Sequence, residues 1–393
     1  MARHANVRAL SLIFTVLVAA APAFCQKQEH PAAFSPEVVR RELQERLDLL
    51  GKEHGFPGAT AAAALPDGTV VAVSTGFSDL EKHVAMKPSD RMLAGSIGKT
   101  YFAAVMMNMI YDHRLSLDQK ISTWIGSEPW FSRLPNAKDI TLRMLMNHTS
   151  GIPEHVESPE FVKALVKDPD KTWSPVELLS FVFDKPPLFP AGTDWSYADT
   201  NFILAAYIAE KVSGQRMYDL IQRDILTRFQ LHDTSPSTSR VLAGLIPGYS
   251  MRNSPFGFEG RNMQEGKFVL NPQFEWAGGG FVSTSADLAL WAKLLYEGKA
   301  FPSDMLLVME ESVPAKTGPG ERYGLGVQVR QTDFGVSYGH GGWFPGYLSE
   351  MEYFPKYRIA LAIQLNTDDI RKIRTREHDC IVALGQAIFA GQN

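Results

Sequence analysis

The stretch Leu93-Ala94-Gly95-Ser96-Ile97-Gly98-Lys99-Thr100 decides how the rest of the chain is read. It stands where a loop meets a strongly periodic segment: from Lys99 onward, Phe102, Val105, Met106, Met109, Ile110 and His113 recur at helical spacing on one face. Residues three apart on a helix are neighbours, so the Lys99 amine can lie beside the Ser96 hydroxyl. A serine hydroxyl is a poor nucleophile until a neighbour takes its proton. A lysine does so when burial or a nearby cation lowers its pKa by about three units. The helix start also offers backbone N–H groups to a developing oxyanion. Alone, however, S-x-x-K also describes an N-cap serine followed by a surface lysine.

Two other patterns overlap this stretch. A phosphate loop, G-x-x-x-x-G-K-T, needs glycine at position 93, where Leu93 stands. A G-x-S-x-G nucleophile elbow would begin at Ala94 and needs a strand of a doubly wound sheet entering it. Ser89-Asp90-Arg91-Met92 is a poor strand, so the elbow is kept only as an alternative.

Further along, Pro190-Ala191-Gly192 leads into Trp195-Ser196-Tyr197-Ala198-Asp199-Thr200-Asn201 and an apolar helix. From such a loop Tyr197 can present its phenol to a cleft and relay a proton, or pack in the core with its hydroxyl bonded. Tyr338-Gly339-His340-Gly341-Gly342-Trp343-Phe344-Pro345-Gly346 surrounds one histidine with glycines before a strand pair, a sign of close backbone approach.

S-x-x-K at Ser96 and Lys99, Y-x-N/D at Tyr197 and Asp199, and K/H-x-G at His340 and Gly342 occur in that order. Leu117-Asp118, Asn147-His148-Thr149-Ser150-Gly151 and Gly278-Gly279-Gly280 before Ser283-Thr284 accompany them. With these motifs the chain resembles the serine β-lactamase and penicillin-binding-protein superfamily, in the branch of class C β-lactamases, D-Ala-D-Ala carboxypeptidases and related esterases. A literal K-T-G, Lys316-Thr317-Gly318, is set aside as the third motif because it lies among Pro314, Pro319 and Gly320, not at a strand leading into the next.

The resemblance implies an α+β, β-lactamase/transpeptidase-like fold, an antiparallel sheet flanked by helices with a mostly α domain inserted. It implies that Ser96 attacks a carbonyl to form an acyl-enzyme, with Lys99 and Tyr197 sharing the proton transfers. The backbone N–H groups of Ser96 and Trp343 would form the oxyanion hole, and Asp199, His340 and Gly342 would contact substrate. No cofactor is implied. Asp199 stands where the class C pattern has asparagine, and an ionised aspartate only accepts hydrogen bonds. His340 replaces a lysine and is expected to be only partly charged at neutral pH. Both departures weigh against efficient β-lactam hydrolysis and towards carboxypeptidase and esterase members.

The remaining sequence bounds this reading. The composition, 45% hydrophobic and 21% charged, is that of a globular protein, and a formal net charge of −4 argues against a nucleic-acid partner. Arg3, His4 and Arg8 precede an apolar run from Ala9 to Ala20 and then Ala21-Pro22-Ala23, the plan of a signal peptide over residues 1–23. That run is shorter than the roughly 20 residues a spanning helix needs. The expectation is a hydrolase domain over 24–393, exported to the periplasm or medium, with no transmembrane anchor and a small-molecule or peptide substrate. Phe24 before Cys25 argues against lipidation, and Cys380 reads as a buried helix residue. The ten histidines show no H-E-x-x-H or similar metal-ligand spacing.

Ser35-Pro36-Glu37 opens a helix carrying Val38, Val39, Leu43, Leu47 and Leu50. Gly58 to Leu65 and Thr69 to Thr75 flank Pro66-Asp67-Gly68 as a hairpin. Helices are expected over Asn201 to Val212, Thr284 to Glu297 (capped by Ser283 or Ser285) and Ile370 to Phe389. Strands are expected over Tyr323 to Val329, Tyr347 to Phe354 and Ile359 to Leu365. These divide the domain into an α+β unit, about 35–98 with 280–393, and an α-rich unit, about 99–279. The function expected is a serine hydrolase of D-amino-acid peptides or small esters. The alternatives are a class C type β-lactamase and a non-catalytic penicillin-binding or sensing module.

Overall fold

Helix α1 (Pro36–His54) has proline at its first position and ends at Gly55, whose φ of +63° is left-handed. Ser35 Oγ donates to the Glu37 carboxylate (2.9 Å) rather than capping the backbone. Val39, Leu43, Leu47 and Leu50 form the buried stripe, whereas Val38 lies outside it and is exposed. The computed structural model describes residues 34–390 and Met1, so Cys25 and the signal-peptide reading, Met1 apart, lie outside the described residues. The described residues from Phe34 onward form one compact unit.

The hairpin follows as β1 (Gly58–Ala64) and β2 (Val70–Asp79), with Gly68 at φ +92° and Asp67 Oδ1 accepting from the Thr69 N–H. The sheet continues through β3 (Val84–Ala85), β4 (Val313–Pro314), β5 (Arg322–Tyr323), β6 (Gln328–Thr332), β7 (Gly335–Phe344), β8 (Tyr347–Phe354) and β9 (Ile359–Leu365). These nine strands lie in the order β4-β5-β6-β7-β8-β9-β1-β2-β3, every neighbouring pair antiparallel. Both faces of the central strands are covered. Ala59, Ala61 and Ala63 enter a core shared with α1 and helix α5 (Glu377–Phe389), while Ala62 and Ala64 face the larger core. This period-two split is why the alanine run is buried throughout; its small side chains let helices approach on both sides.

Helix α2 (Lys99–Tyr111) is buried almost all round from Lys99 to Met107, rather than along one face. His113 lies beyond its end at φ +57° and is exposed. A helix enclosed on all sides needs no polar face. Helix α3 (Asp199–Ser213) begins two residues before the expected start. Helix α4 (Ser285–Tyr296) is capped by Thr284, whose Oγ1 accepts from the Asp287 N–H (3.2 Å). Ser283 and Ser285, the expected caps, bond Thr234 and Thr60 instead.

Two expected elements are split by residues in left-handed conformation. Gly326 (φ +79°) separates β5 from β6, and Arg374 (φ +53°) separates a turn of helix at Ile370–Ile373 from α5. Met92–Leu93 is a two-residue strand paired antiparallel with Phe281–Ser283 in a separate three-stranded sheet. The strand entering Ser96 is therefore not part of a doubly wound sheet, and the elbow alternative fails. Cys380 is buried in α5 as a free thiol. Among the described residues no helix is long and apolar enough to cross a membrane.

Candidate active site

Ser96 lies in the 3₁₀ turn Gly95–Gly98 immediately before α2, wedged between β7 and the turn at 272–280. Gly95 has φ +54°, and a Cβ there would come within 2.7 Å of the Trp343 backbone N and O. A Cβ on Gly98 would stand 1.7 Å from the Gly279 carbonyl. Neither position accepts a side chain, which accounts for the glycines around the serine. A Cβ on Gly342, on β7, would come within 2.0 Å of the Ala94 carbonyl oxygen. The Trp343 backbone N is thus held against the residue preceding Ser96.

Lys99, with no solvent exposure, points back along the turn. Its Nζ donates to Ser96 Oγ (3.0 Å), to Asp199 Oδ1 (2.5 Å) and to the Gly278 carbonyl. Three acceptors match the three N–H groups of an ammonium. Gly278 is presented by a strained turn in which Trp276 adopts φ +34°.

Tyr197 precedes α3. Its ring lies 4.7 Å from Lys99 Nζ and 4.3 Å from the His148 ring. The phenol oxygen is buried beside Ser96. Burial and the Asp199 charge push its pKa well above the ordinary range, against a lowering by Ser96. His148 anchors this loop: its carbonyl accepts from the Ser196 N–H, and Nδ1 receives the Ala198 N–H (3.3 Å) and Asn201 Nδ2 (3.1 Å). The Asn147–Gly151 segment therefore holds Tyr197 in place.

Asp199 opens α3 and lines the cleft, with one carboxylate oxygen committed to Lys99. Burial raises its pKa, opposed by Lys99 and reinforced by Glu154. His340 is buried; Nδ1 donates to the Gly341 carbonyl (2.6 Å), leaving Nε2 to accept from the Tyr323 hydroxyl (2.8 Å). Burial, then the Lys99 charge, push its pKa down to about 3. The expected partial charge at neutral pH is thus corrected: His340 is neutral there, because a buried imidazole facing an ammonium cannot hold a second proton.

The sequence reading did not single out Glu154, Glu275 or Tyr323. Glu154 accepts from the Asp199 backbone N–H and pairs with His155 (3.0 Å). Burial raises its pKa, but the His155 bond and charge outweigh that and hold the carboxyl below its usual range. Glu275 accepts from the Gly280 N–H (2.8 Å), and burial pushes its pKa up to about 8, so it is mostly protonated at neutral pH. No spacing ties these carboxyl groups to Ser96; only the cleft does.

Two recesses meet at Ser96, Tyr197 and Trp343. The apolar one, about 330 Å³, has walls of Val156, Phe256, Phe274 and Phe344 with Asp199 and Glu275 beside them. The polar one, about 370 Å³, runs along His340 and Gly341 to Glu321, Arg330, Glu350 and His378. Thr317 of the literal K-T-G reaches the rim of the polar recess, while Lys316 pairs with Asp194 at the surface (2.7 Å). Among the described residues, Glu350, Glu352 and His378 bring potential metal-ligating atoms within 4.8 Å of one another. There the Arg330 guanidinium already donates to both carboxylates, at 2.7 and 2.5 Å.

The Beta-lactamase family model matches residues 39–381. Penicillin-binding protein 4* of Bacillus subtilis is 23% identical over 367 residues, covering 90% of this chain and 76% of the relative. A D-aminopeptidase of Brucella anthropi is 25% identical over 327 residues, covering 82% of this chain and 59% of the relative. This chain thus spans about three-fifths of that aminopeptidase. The crystal structure of a D-stereospecific amidohydrolase from Streptomyces sp. is 26% identical with a TM-score of 0.72, covering 91% of this chain and 100% of that one. A D-amino acid amidase from Ochrobactrum anthropi SV3 shares the fold at 21% identity, with a TM-score of 0.78 over 90% of this chain and 99% of that one.

Proposed function

This chain belongs to the Beta-lactamase family, and on that premise we propose that it is a D-stereospecific serine amidohydrolase acting through an acyl-enzyme. One observation carries the reading: Ser96, Lys99 and Asp199 form a continuous hydrogen-bonded line in a cleft roofed by the Tyr197 phenol. Once Lys99 Nζ, 3.0 Å from Ser96 Oγ, has passed one proton to Asp199 Oδ1, its free amine takes the serine proton as Oγ attacks the substrate carbonyl. A phenol held neutral is a proton donor, which suits Tyr197 to protonating the leaving amine. The N–H groups of Ser96 and Trp343 stabilise the oxyanion.

The substrate class follows from charge. The apolar recess combines aromatic walls with the carboxyl groups of Glu154, Asp199 and Glu275, a setting for an apolar residue with a free ammonium. The favoured substrate is therefore an amide or peptide with an N-terminal D-residue. In the polar recess His340 is neutral and Arg330 is already paired, which leaves Arg376 at its rim as the cation that a C-terminal carboxylate would meet. Similarity to a penicillin-binding protein supports D-Ala-D-Ala carboxypeptidase action as a second reading. Small esters are less demanding surrogates for the same acylation. Export, from the pattern of residues 1–23, is part of the proposal.

The test compares D- and L-phenylalanine amide, a D-Ala-D-Ala peptide, a p-nitrophenyl ester and a chromogenic cephalosporin, using wild type and Ser96→Ala. Hydrolysis of the D-amide in preference to its L-isomer, lost in Ser96→Ala, is expected. Dominant cephalosporin turnover would establish the β-lactamase alternative, and activity surviving in Ser96→Ala would remove the serine mechanism.

A further inference from the structure

Phe256 reaches the apolar recess from a segment that is hydrogen-bonded to the domain at its base and not at its tip. Tyr249–Ser250 and Gly260–Arg261 pair as a two-residue antiparallel ladder, and residues 251–259 loop out between them. The base is firmly anchored. Arg261 donates to both oxygens of Asp79 (2.9 Å each) and to Glu81 (2.8 Å), and the Tyr249 hydroxyl donates to Glu81 (2.9 Å). The Met251 N–H donates to buried Asp368 (2.5 Å). Among the described residues, the hydrogen bonds of 252–259 all close within the segment. The Asn253 N–H meets Glu259 (3.4 Å), the Phe256 N–H meets Ser254 Oγ (3.4 Å) and the Gly257 N–H meets the Ser254 carbonyl (3.1 Å). Arg252, Asn253, Pro255 and Gly257 are exposed. Side-chain packing, of Phe258 on Phe268 and of Phe256 on the recess, holds the tip down. A segment joined to the body in this way opens at lower cost than one tied by backbone bonds.

The Phe256 ring is buried, stacked 5.9 Å from Trp343 at 23° and 5.6 Å from Phe274, and all three rings line the apolar recess. Trp343 therefore does two things at once. Its ring supports the tip of the segment, and its backbone N, packed against Gly95, faces the reacting carbonyl. An apolar side chain entering the recess adds burial and dispersion contacts to Phe256 and Phe274. Those contacts exist only with the segment seated, so the ligand shifts the population towards that state.

We propose that residues 251–260 are a flap held shut by the acyl-side residue of the substrate, with Phe256 selecting a bulky apolar side chain there over a small one. This rests on the acyl-enzyme reading of Ser96 but on neither the charge nor the stereochemistry of the substrate. A side chain filling the space between Phe256, Phe274 and Phe344 seats the flap, and the seated Phe256 steadies Trp343 and its N–H. Selection then acts on acylation as well as on binding, because ordering an oxyanion donor lowers the transition state. A small side chain leaves the flap unsupported and is transferred slowly.

p-Nitrophenyl 3-phenylpropanoate and p-nitrophenyl acetate offer the two side-chain sizes with one leaving group. Relative to uncatalysed hydrolysis of each, kcat/KM of wild type should favour the phenyl ester by about tenfold or more. That ratio should fall about fivefold in Phe256→Ala and less in Phe256→Leu, which keeps apolar bulk. In Ser96→Ala, where a ligand binds without acylation, tryptic cleavage after Arg252 should slow about threefold or more with 3-phenylpropanamide and not with acetamide. This second measurement needs no substitution in the flap. A ratio near one in wild type, a ratio unchanged in both Phe256 variants, or no cleavage after Arg252 that the aromatic amide slows overturns the flap. Ester hydrolysis that survives in Ser96→Ala overturns the acyl-enzyme reading instead, and D- against L-phenylalanine amide reports on stereospecificity separately.

Discussion

Lys99 Nζ and Asp199 Oδ1 lie 2.5 Å apart, and the lysine has no solvent exposure. The ammonium beside the nucleophile therefore has a carboxylate counter-ion where the class C pattern has an amide. A buried ion pair gains through mutual attraction what each charge loses in desolvation, and removing one partner strands the other.

Asp199→Asn should cost about 3 kcal/mol of stability, since it strands the Lys99 ammonium. An ammonium that has lost its carboxylate gives up its proton more readily, so the acid limb of kcat/KM should move to lower pH. Chemical denaturation and a pH–rate profile of the variant check both effects. An unmoved acid limb would show that the pair does not govern the base.

His340→Gln tests the neutral imidazole. The folded-state pKa near 3 lies below the unfolded value of about 6.5, so between them the unfolded chain binds the extra proton. This contribution is complete above about pH 6.5 and is lost as pH falls towards 3, at up to about 1.4 kcal/mol per pH unit. Wild type should lose stability more steeply than His340→Gln between pH 6.5 and 4 in denaturant titrations. Parallel curves would mean that His340 is protonated in the folded protein.

Glu275→Gln should show the opposite sign. Burial raises the Glu275 pKa to about 8, against 4.5 for an unperturbed glutamate, so the folded chain holds the extra proton between these values. Its stabilisation is present below about pH 4.5 and is lost as pH rises through 8. The glutamine oxygen can still accept from the Gly280 N–H. The variant should thus gain stability over wild type from pH 5 to pH 8, read as a widening gap in melting temperature.

Gly95→Ala should reduce kcat by at least about a hundredfold, the effect of losing one oxyanion donor. The new Cβ would push against the Trp343 backbone, and φ +54° adds about 1 kcal/mol of strain. Ser96, Lys99 and Tyr197 would all remain. Normal kcat with unchanged stability would mean that the Gly95–Trp343 contact does not set the catalytic geometry.

The sequence by itself determined the fold class, through motif order and strand periodicity, and most of the elements that carry it. Local signals such as Pro36 at a helix start and Pro66-Asp67-Gly68 at a turn act through residues adjacent in the chain, so they were legible. Elements were misjudged where a single left-handed residue, Gly326 or Arg374, interrupted a pattern that period alone cannot break. It also marked Ser96 and Lys99, whose spacing is a property of one helical turn. Tertiary structure alone decided their electrostatics. Asp199 meets Lys99 from another helix, Glu154 and Glu275 add carboxyl groups with no spacing to mark them, and enclosure turns His340 from a partly charged group into a neutral one. Charge states depend on desolvation and on neighbours distant in sequence, and both come into being only when the chain has closed around them.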